Sequence, residues 1–398
     1  MINSDINNFI EINDDNSLVK KVNEIDWEFS EADTQYLTHN IHRYSGKFIP
    51  QIARKAIELI TNPHDIILDP YCGSGTTLLE AALTNRKSIG VDLNPLAVLI
   101  SETKTTVIDS DTLDQYVRNV QEFIEKLIEH SKEDSIFQYD EIERLYHEVE
   151  TDWRYNDEWF NKWFQKQVLT ELIIIHKFIN SIEEVRIFNL ALTAFSDILR
   201  KVSNAHSGYP NVMLDKNAKV KQLPSPIFLK AFLESTSMVR ELSRENLEYK
   251  PSIVQTDNTK LPIENESIDA IITHPPYIGS IPYAEYGTLS LGWLGHDSKV
   301  LDKQLTGGQR QSKYVVERFE EGYKGMLQES FRVLKKNKKM FIMVGNPVVK
   351  GEKIDLGLMT KKLCHEVGFK LIVETTRNGI NRRANKMGEE FLLFFEKE

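Results

Sequence analysis

Cysteine is scarce in this sequence: Cys72 and Cys364 are its two, too few for a disulfide framework or a zinc cluster. His39 and His42 lie close together, but no cysteine or carboxylate cluster accompanies them, so no metal is expected. Long apolar runs are also lacking. The best stretch, around Ile173 to Ile175, is broken by His176 and Lys177, which argues against a membrane-spanning helix. The first residues carry Asn, Asp and Glu in place of a basic and then apolar leader, so a cytoplasmic, reducing environment is the simple expectation. Neither an internal repeat nor a low-complexity segment occurs.

What is present is an ordinary globular balance, with 41% hydrophobic and 27% charged residues in a 398-residue chain. That length suits one large α/β domain with an insertion, or two modest domains. The net charge of -10 argues at first sight against a nucleic-acid partner. The charge is uneven, however: about -7 over residues 1–33, -11 over 109–158 and +8 over 299–398. Arg200, Lys201, Lys216, Lys219 and Lys221 form a smaller basic group. An acidic protein can hold nucleic acid when one face is basic and the acidic segments point away; equally, such clusters are simply solvated faces.

Residues 1–35 are polar, acidic and weakly periodic, and read as a loose arm. Apolar residues from Phe48 to Ile60 recur at helical spacing. Next, Ile66 to Leu68 forms a short apolar run ending in a glycine-rich turn, followed by a helix from about Thr76 to Thr84 and a strand from Ser88 to Asp92. This is a βαβ unit, the opening of a doubly wound sheet. Residues 109–250 carry long amphipathic stretches and read as a mainly helical insertion. Strand-like runs resume at 253–256, 268–273, 340–344, 369–375 and 390–395, with helices near 317–334 and 356–367. The expected organisation is an acidic arm at 1–35, one α/β domain built from 36–108 and 251–398, and an insertion at 109–250.

Two motifs carry the chemistry. The first is Asp69-Pro70-Tyr71-Cys72-Gly73-Ser74-Gly75-Thr76-Thr77. Gly73 and Gly75 let the backbone curl close to a ligand, and the following helix aims its N-terminal amides at the same place. Asp92, about 20 residues on, sits where an acidic side chain accepts from ribose hydroxyls, which fits an adenosine-containing cofactor. The turn lacks the Gly-Lys-Ser/Thr ending of a phosphate-binding NTPase loop and a full G-x-G-x-x-G. The second motif is Thr273-His274-Pro275-Pro276-Tyr277. Consecutive prolines cannot continue a ladder, so the backbone leaves the sheet rigidly at its C-terminal edge, where open α/β sheets bind ligands.

Together, "LDPYCGSGTTLLEA" and "THPPY" resemble the cofactor loop and the Asp/Asn/Ser-Pro-Pro-Tyr corner of DNA amino-methyltransferases. The resemblance spans about residues 40–108 and 252–398. It implies a mostly parallel seven-stranded α/β sheet and S-adenosylmethionine as cofactor. Asp69, Tyr71, Gly73, Gly75 and Thr76 would lie at the loop, Asp92 at the ribose, and Asp257 near the adenine amino group. "HRYSGKFIP" resembles the segment preceding that loop and would set Lys47, Phe48 and Pro50 against the cofactor; a plain helix start is the alternative. His274, Pro275, Pro276 and Tyr277 would be the catalytic corner, with Tyr277 stacking on a base flipped out of the duplex.

The flank "IITHPPYIGSIPYAEYGTLSLGWLG" is most similar to Ser-Pro-Pro-Tyr members, which methylate cytosine N4. His274 departs from that pattern; a neutral imidazole still accepts one hydrogen bond. "ILRKVSNA" is similar to cytosine-N4-type enzymes and would place Arg200, Ser203 and Asn204 at a phosphate or base, or else cap a helix. Lys216 and Lys219 in the insertion, and Arg382 and Arg383 in "RNGINRRANK", are candidate phosphate contacts. Asn346 and Pro347 follow another strand end and line the pocket or merely turn the chain. The implied partners are double-stranded DNA and a cognate restriction or defence protein. Adenine-N6 methylation, RNA guanine-N2 methylation and a catalytically silent DNA-binding subunit remain open.

Overall fold

The computed structural model describes residues 16–132, 140–209, 211–279, 281–378 and 388–398. Seven strands form one sheet: β1 (Ile66–Asp69), β2 (Lys87–Asp92), β3 (Ser252–Gln255), β4 (Ile268–Thr273), β5 (Leu334–Gly345), β8 (Phe369–Asn378) and β9 (Glu389–Lys397), in the order β3-β2-β1-β4-β5-β9-β8. β6 (Val348–Val349) and β7 (Glu352–Lys353) make a separate hairpin. β1 to β5 run parallel, and β9 enters antiparallel between β5 and β8. This is the expected doubly wound, mostly parallel seven-stranded α/β sheet. β1 and β4 are neighbours in register, with Ile67 beside Ala270 and Leu68 beside Ile271. Their C-terminal ends therefore deliver the glycine-rich turn and the His-Pro-Pro-Tyr corner to one place.

Both faces of the sheet are covered. On one face pack α1 (Asn16–Glu24), α2 (Pro50–Ile60) and α3 (Thr76–Leu83), with Leu18, Val22, Ile52 and Ile57 in a core shared with Phe341 and Phe394. The other face holds α15 (Val315–Val333) and α16 (Leu356–Val367) against Leu68, Ile271 and Ile342. α2 starts at Pro50, whose missing N–H would be unpaired there anyway. α16 stops at Gly368, which takes φ 115° where an L side chain is strained.

The arm departs from the sequence expectation. From residue 16 onward it is packed, not loose: Trp27 is 4% exposed, stacked at 6.4 Å on Phe341 and tilted against Phe394 at 6.2 Å. Three apolar residues, Leu18, Val22 and Trp27, hide among acidic neighbours and anchor the segment.

Between α4 (Pro95–Lys104) and β3 lie α5 (Ser110–His130), α6 (Asp140–Val149), α7 (Trp153–Asn156), α8 (Glu158–Trp163), α9 (Lys166–Asn180), α10 (Val185–Val202) and α11 (Pro224–Leu242). Their apolar faces share a core with α4 and with α13 (Thr288–Trp293), which follows α12 (Tyr283–Tyr286) and precedes α14 (Ser298–Gln304). Trp293 is the hinge of that contact. It meets Phe160, Phe164 and Phe195 edge-on at 5.1–6.0 Å, with the Arg154 guanidinium 5.2 Å from its ring.

Candidate active site

The ends of β1, β2, β3 and β4 open into a cleft of about 680 Å³, whose lining includes Tyr44, Asp92, Asp257, His274, Pro276 and Tyr283. A smaller recess of about 290 Å³ continues from it, sharing Tyr44, Tyr71, Gly73 and His274, and adds Lys47, Phe48, Asp69, Thr76 and Thr77. His274 thus stands at the junction of the two.

The glycine-rich turn is shaped by need. Gly73 and Gly75 adopt φ 50° and 78°. A Cβ on Gly75 would come within 2.7 Å of the Ser101 Cβ, so only glycine fits there. Asp92 fastens the turn: its Oδ2 accepts from the Gly73 N–H at 3.0 Å and its Oδ1 from the Asn94 N–H at 2.8 Å. Asp69 Oδ1 accepts from the Tyr71 N–H at 3.1 Å and from the Thr273 hydroxyl at 2.8 Å, joining the turn to the end of β4. Burial pushes both carboxyls up to about 6. Asp257 is exposed at the end of β3 and accepts from the Thr259 N–H at 2.9 Å. Buried Asn258 beside it donates to the Pro70 carbonyl at 2.9 Å, closing that end of the cleft.

Lys47 lines the recess and donates to the His39 carbonyl at 3.0 Å, while Phe48 packs its ring 5.1 Å from His274. Pro50, by contrast, opens α2 and is buried. Behind this segment lies a group that sequence reasoning missed. Glu80, fully buried on α3, accepts from Tyr36 at 2.5 Å, His39 at 2.7 Å and Arg54 at 2.6 Å. Burial alone would raise the Glu80 carboxyl; the bonds from His39, Tyr36 and Arg54 outweigh it and hold it below its ordinary range. His42 is likewise engaged, with Nε2 3.0 Å from the Ser196 hydroxyl. Lys104 is also buried, and its Nζ donates to the Ser74 hydroxyl at 3.2 Å.

The His-Pro-Pro-Tyr corner differs from expectation in one respect. Tyr277 offers no ring face to a stacked base: it is 3% exposed, and its hydroxyl lies 2.8 Å from His274 Nε2 and 2.9 Å from Glu390 Oε1. Pro275 and Pro276 turn the backbone so that this ring folds back under the corner. The tyrosines that line the cleft are instead Tyr71, in the glycine-rich turn, and Tyr44 and Tyr283, the last two 6.3 Å apart between ring centres. Both sit inside motifs visible in the sequence, "HRYSGKFIP" and "SIPYAEY", but nothing in the spacing singles them out. Burial lowers the His274 pKa to about 4, with Arg377 contributing, so the imidazole is neutral near pH 7.

The candidate DNA contacts divide. Arg200 lines a second cleft of about 660 Å³ beyond Tyr44 and Tyr283, together with Arg43 and Tyr286. Its guanidinium donates to the carbonyls of Tyr209 and Asn211. Ser203 and Asn204 do not face a ligand. Ser203 is fully buried; its hydroxyl donates to the Arg200 carbonyl and accepts from the Ala205 N–H, which is the capping alternative. The Asn204 amide donates to the Lys162 carbonyl at 3.1 Å, and its Oδ1 is buried, so this side chain ties α10 to α8. Lys216 and Lys219 are exposed on the loop after α10. Arg382 and Arg383 lie outside the described residues. Asn346 accepts from the Gly357 N–H and Pro347 from the Ile354 N–H, so both serve the turn after β5.

A DNA methylase family model matches residues 7–103. Type II methyltransferase M.MvaI of Kocuria varians is 28% identical over 75% of this chain and 68% of its own length. Type II methyltransferase M.MjaII of Methanocaldococcus jannaschii is 25% identical over 94% of this chain and 83% of its own. A shorter match, 36% identical over 17% of this chain and 19% of the relative, is to tRNA (guanine(10)-N2)-dimethyltransferase of the same archaeon. The glycine-lined turn, buried Asp69, half-buried Asp92 and the proline corner gather at one sheet edge, in a chain whose residues 7–103 match a DNA methylase model and which is similar along most of its length to Type II methyltransferases.

Proposed function

We propose that the protein methylates the exocyclic amino group of a base flipped out of double-stranded DNA, with cytosine N4 the favoured position. The observation that carries this reading is the place of His274, a neutral imidazole at the junction of the cofactor recess and the larger cleft. S-adenosylmethionine supplies an electrophilic methyl group on its sulfonium. The residues present suit it: the glycine turn leaves room for a close ligand, Asp92 has lone pairs left for ribose hydroxyls, and Lys47 and Thr76 line the methionine end. Asp69 braces the turn against β4, and Asp257 with Asn258 bounds the adenine end.

An exocyclic amine is a poor nucleophile because its lone pair is delocalised into the ring. Acceptors aimed at its N–H bonds draw it toward the geometry needed for attack. The free ring nitrogen of His274 and the Pro275 carbonyl are those acceptors, held by a rigid corner that loses little entropy on binding. Tyr44 and Tyr283 flank the space the base would fill, the role the sequence assigned to Tyr277. Arg43 and Arg200, in the cleft beyond that wall, are suited to the strand leading to the flipped nucleotide, with Lys216 and Lys219 further out on the insertion. The cytosine preference rests on the Ser-Pro-Pro-Tyr-like flank.

Nucleoside mass spectrometry after incubation with methyl-labelled S-adenosylmethionine tests this. N4-methylcytosine in DNA upholds the reading, and N6-methyladenine keeps the mechanism but changes the base. Label in RNA alone overturns the DNA substrate. His274→Ala should abolish methylation while leaving cofactor affinity within about threefold.

A further inference from the structure

Beneath the corner, four side chains form a chain whose direction is fixed by what each can donate. Arg377 and Glu390 are directly opposite on the antiparallel strands β8 and β9, and their Nε and Oε2 atoms lie 3.5 Å apart, both nearly buried. Glu390 Oε1 is 2.9 Å from the Tyr277 hydroxyl, which is 2.8 Å from His274 Nε2. A carboxylate only accepts, so the single Tyr277 proton points to Glu390. The phenol oxygen then faces His274 as an acceptor, and Nε2 must carry the imidazole proton. A neutral imidazole has one N–H, so Nδ1 is left bare, and among the described residues it has no hydrogen-bond partner.

We propose that Glu390, acting through Tyr277, is a positioning residue that locks His274 in the tautomer with a bare Nδ1, making that nitrogen the acceptor for the target amine. This rests on the reading of His274 as that acceptor. The lock answers a problem that Asp, Asn or Ser does not pose at the corner. Each of those has a side-chain oxygen that can accept whatever its protons do, whereas a histidine in the wrong tautomer presents an N–H to the amine it should polarise. A buried carboxylate reached through a phenol sets the proton on the far nitrogen, and the cross-strand arginine keeps the carboxylate turned the same way.

The isosteric Glu390→Gln variant reverses the chain. Arg377 beside Oε2 attracts the amide oxygen, which turns the amide NH₂ toward Tyr277. The phenol must then accept from the amide and donate to His274 Nε2, moving the imidazole proton to Nδ1.

The test is the 15N–1H multiple-bond spectrum of the [15N]histidine-labelled protein, with the His274 signal identified as the one absent from His274→Ala. The wild type should carry its proton on Nε2 and Glu390→Gln on Nδ1, with kcat down at least about a hundredfold and cofactor Kd within about threefold. Tyr277→Phe, which removes the link without adding a donor, should give a tautomer mixture and a smaller loss of kcat. A wild-type proton on Nδ1 overturns the proposal. So does a Glu390→Gln variant with kcat within about twofold and an unchanged spectrum. If the wild-type spectrum is as expected but neither DNA nor RNA is methylated, the lock stands and the methyl-transfer reading falls.

Discussion

Cofactor affinity should depend on pH through Asp92. Burial raises this carboxyl to about 6, and its oxygens already accept one backbone N–H each, from Gly73 and Asn94. Each oxygen keeps a second lone pair for a ribose hydroxyl. A hydrogen bond to a charged acceptor contributes about 1.5–3 kcal/mol net, so losing one weakens binding roughly ten- to hundredfold. The sign follows from which form binds: the cofactor takes the ionised carboxylate, so affinity is nearly full from about one pH unit above the carboxyl's pKa of about 6 and falls as acid protonates the group. With the carboxyl at about 6, roughly one molecule in ten is ionised at pH 5, and Kd should rise about tenfold between pH 7.5 and 5. Asp69, raised to about 6 at the methionine end, steepens the fall. Asp92→Asn mimics the protonated state, and its NH₂ also faces a backbone donor, loosening the turn. Its Kd near pH 7.5 should be about ten- to hundredfold weaker and nearly insensitive to the Asp92 titration. Isothermal titration with S-adenosylmethionine across this range, with thermal melts confirming folding, measures both. A wild-type Kd that stays flat from pH 7.5 to 5, or an Asp92→Asn variant that binds as tightly as the wild type, refutes the reasoning.

Gly75→Ala adds a left-handed alanine and a 2.7 Å clash with Ser101, costing about 2–4 kcal/mol; the chemical denaturation midpoint should fall and cofactor binding weaken with it. Glu80→Gln removes the charge that buried His39 and half-buried Tyr36 and Arg54 share and should cost about 1–3 kcal/mol, read as a lower melting temperature together with proteolytic sensitivity near residues 36–54. Arg43→Ala should weaken DNA binding similarly across sequences and reduce the slope of log K against log salt by about one, measured by fluorescence anisotropy.

The sheet was legible because its strands are short apolar runs ended by functional turns: Ile66 to Leu68 before the glycines, Ile268 to Thr273 before the prolines. Periodicity and punctuation are local signals. The Glu80 cluster was not legible, because Tyr36, His39 and Arg54 meet it from 44, 41 and 26 positions away. Trp27 was lost among acidic residues, where composition outweighs one anchor. Tyr277 was found but misread: its position in the motif says nothing of Glu390, 113 residues on, which turns the ring inward. Ser203 and Asn204 illustrate the reverse error, since helix-ending groups and phosphate contacts use the same residue types.

The placement of β1 between β2 and β4 has a consequence for biosynthesis. β2 is available soon after β1 leaves the ribosome, but β4 follows only after the helices of residues 110–242. Until then the apolar strand Ile66-Ile67-Leu68 is a sheet edge with unpaired amides, the kind of template that recruits foreign strands. The Thr273–Asp69 bond closes a loop of 204 positions, so the nascent chain has Asp69 and Asp92 long before β1 has its second partner, β4. The insertion therefore sets a window of vulnerability during translation. Substitutions that slow its helices should appear first as demand for chaperones and as inclusion bodies, before any change in the finished enzyme.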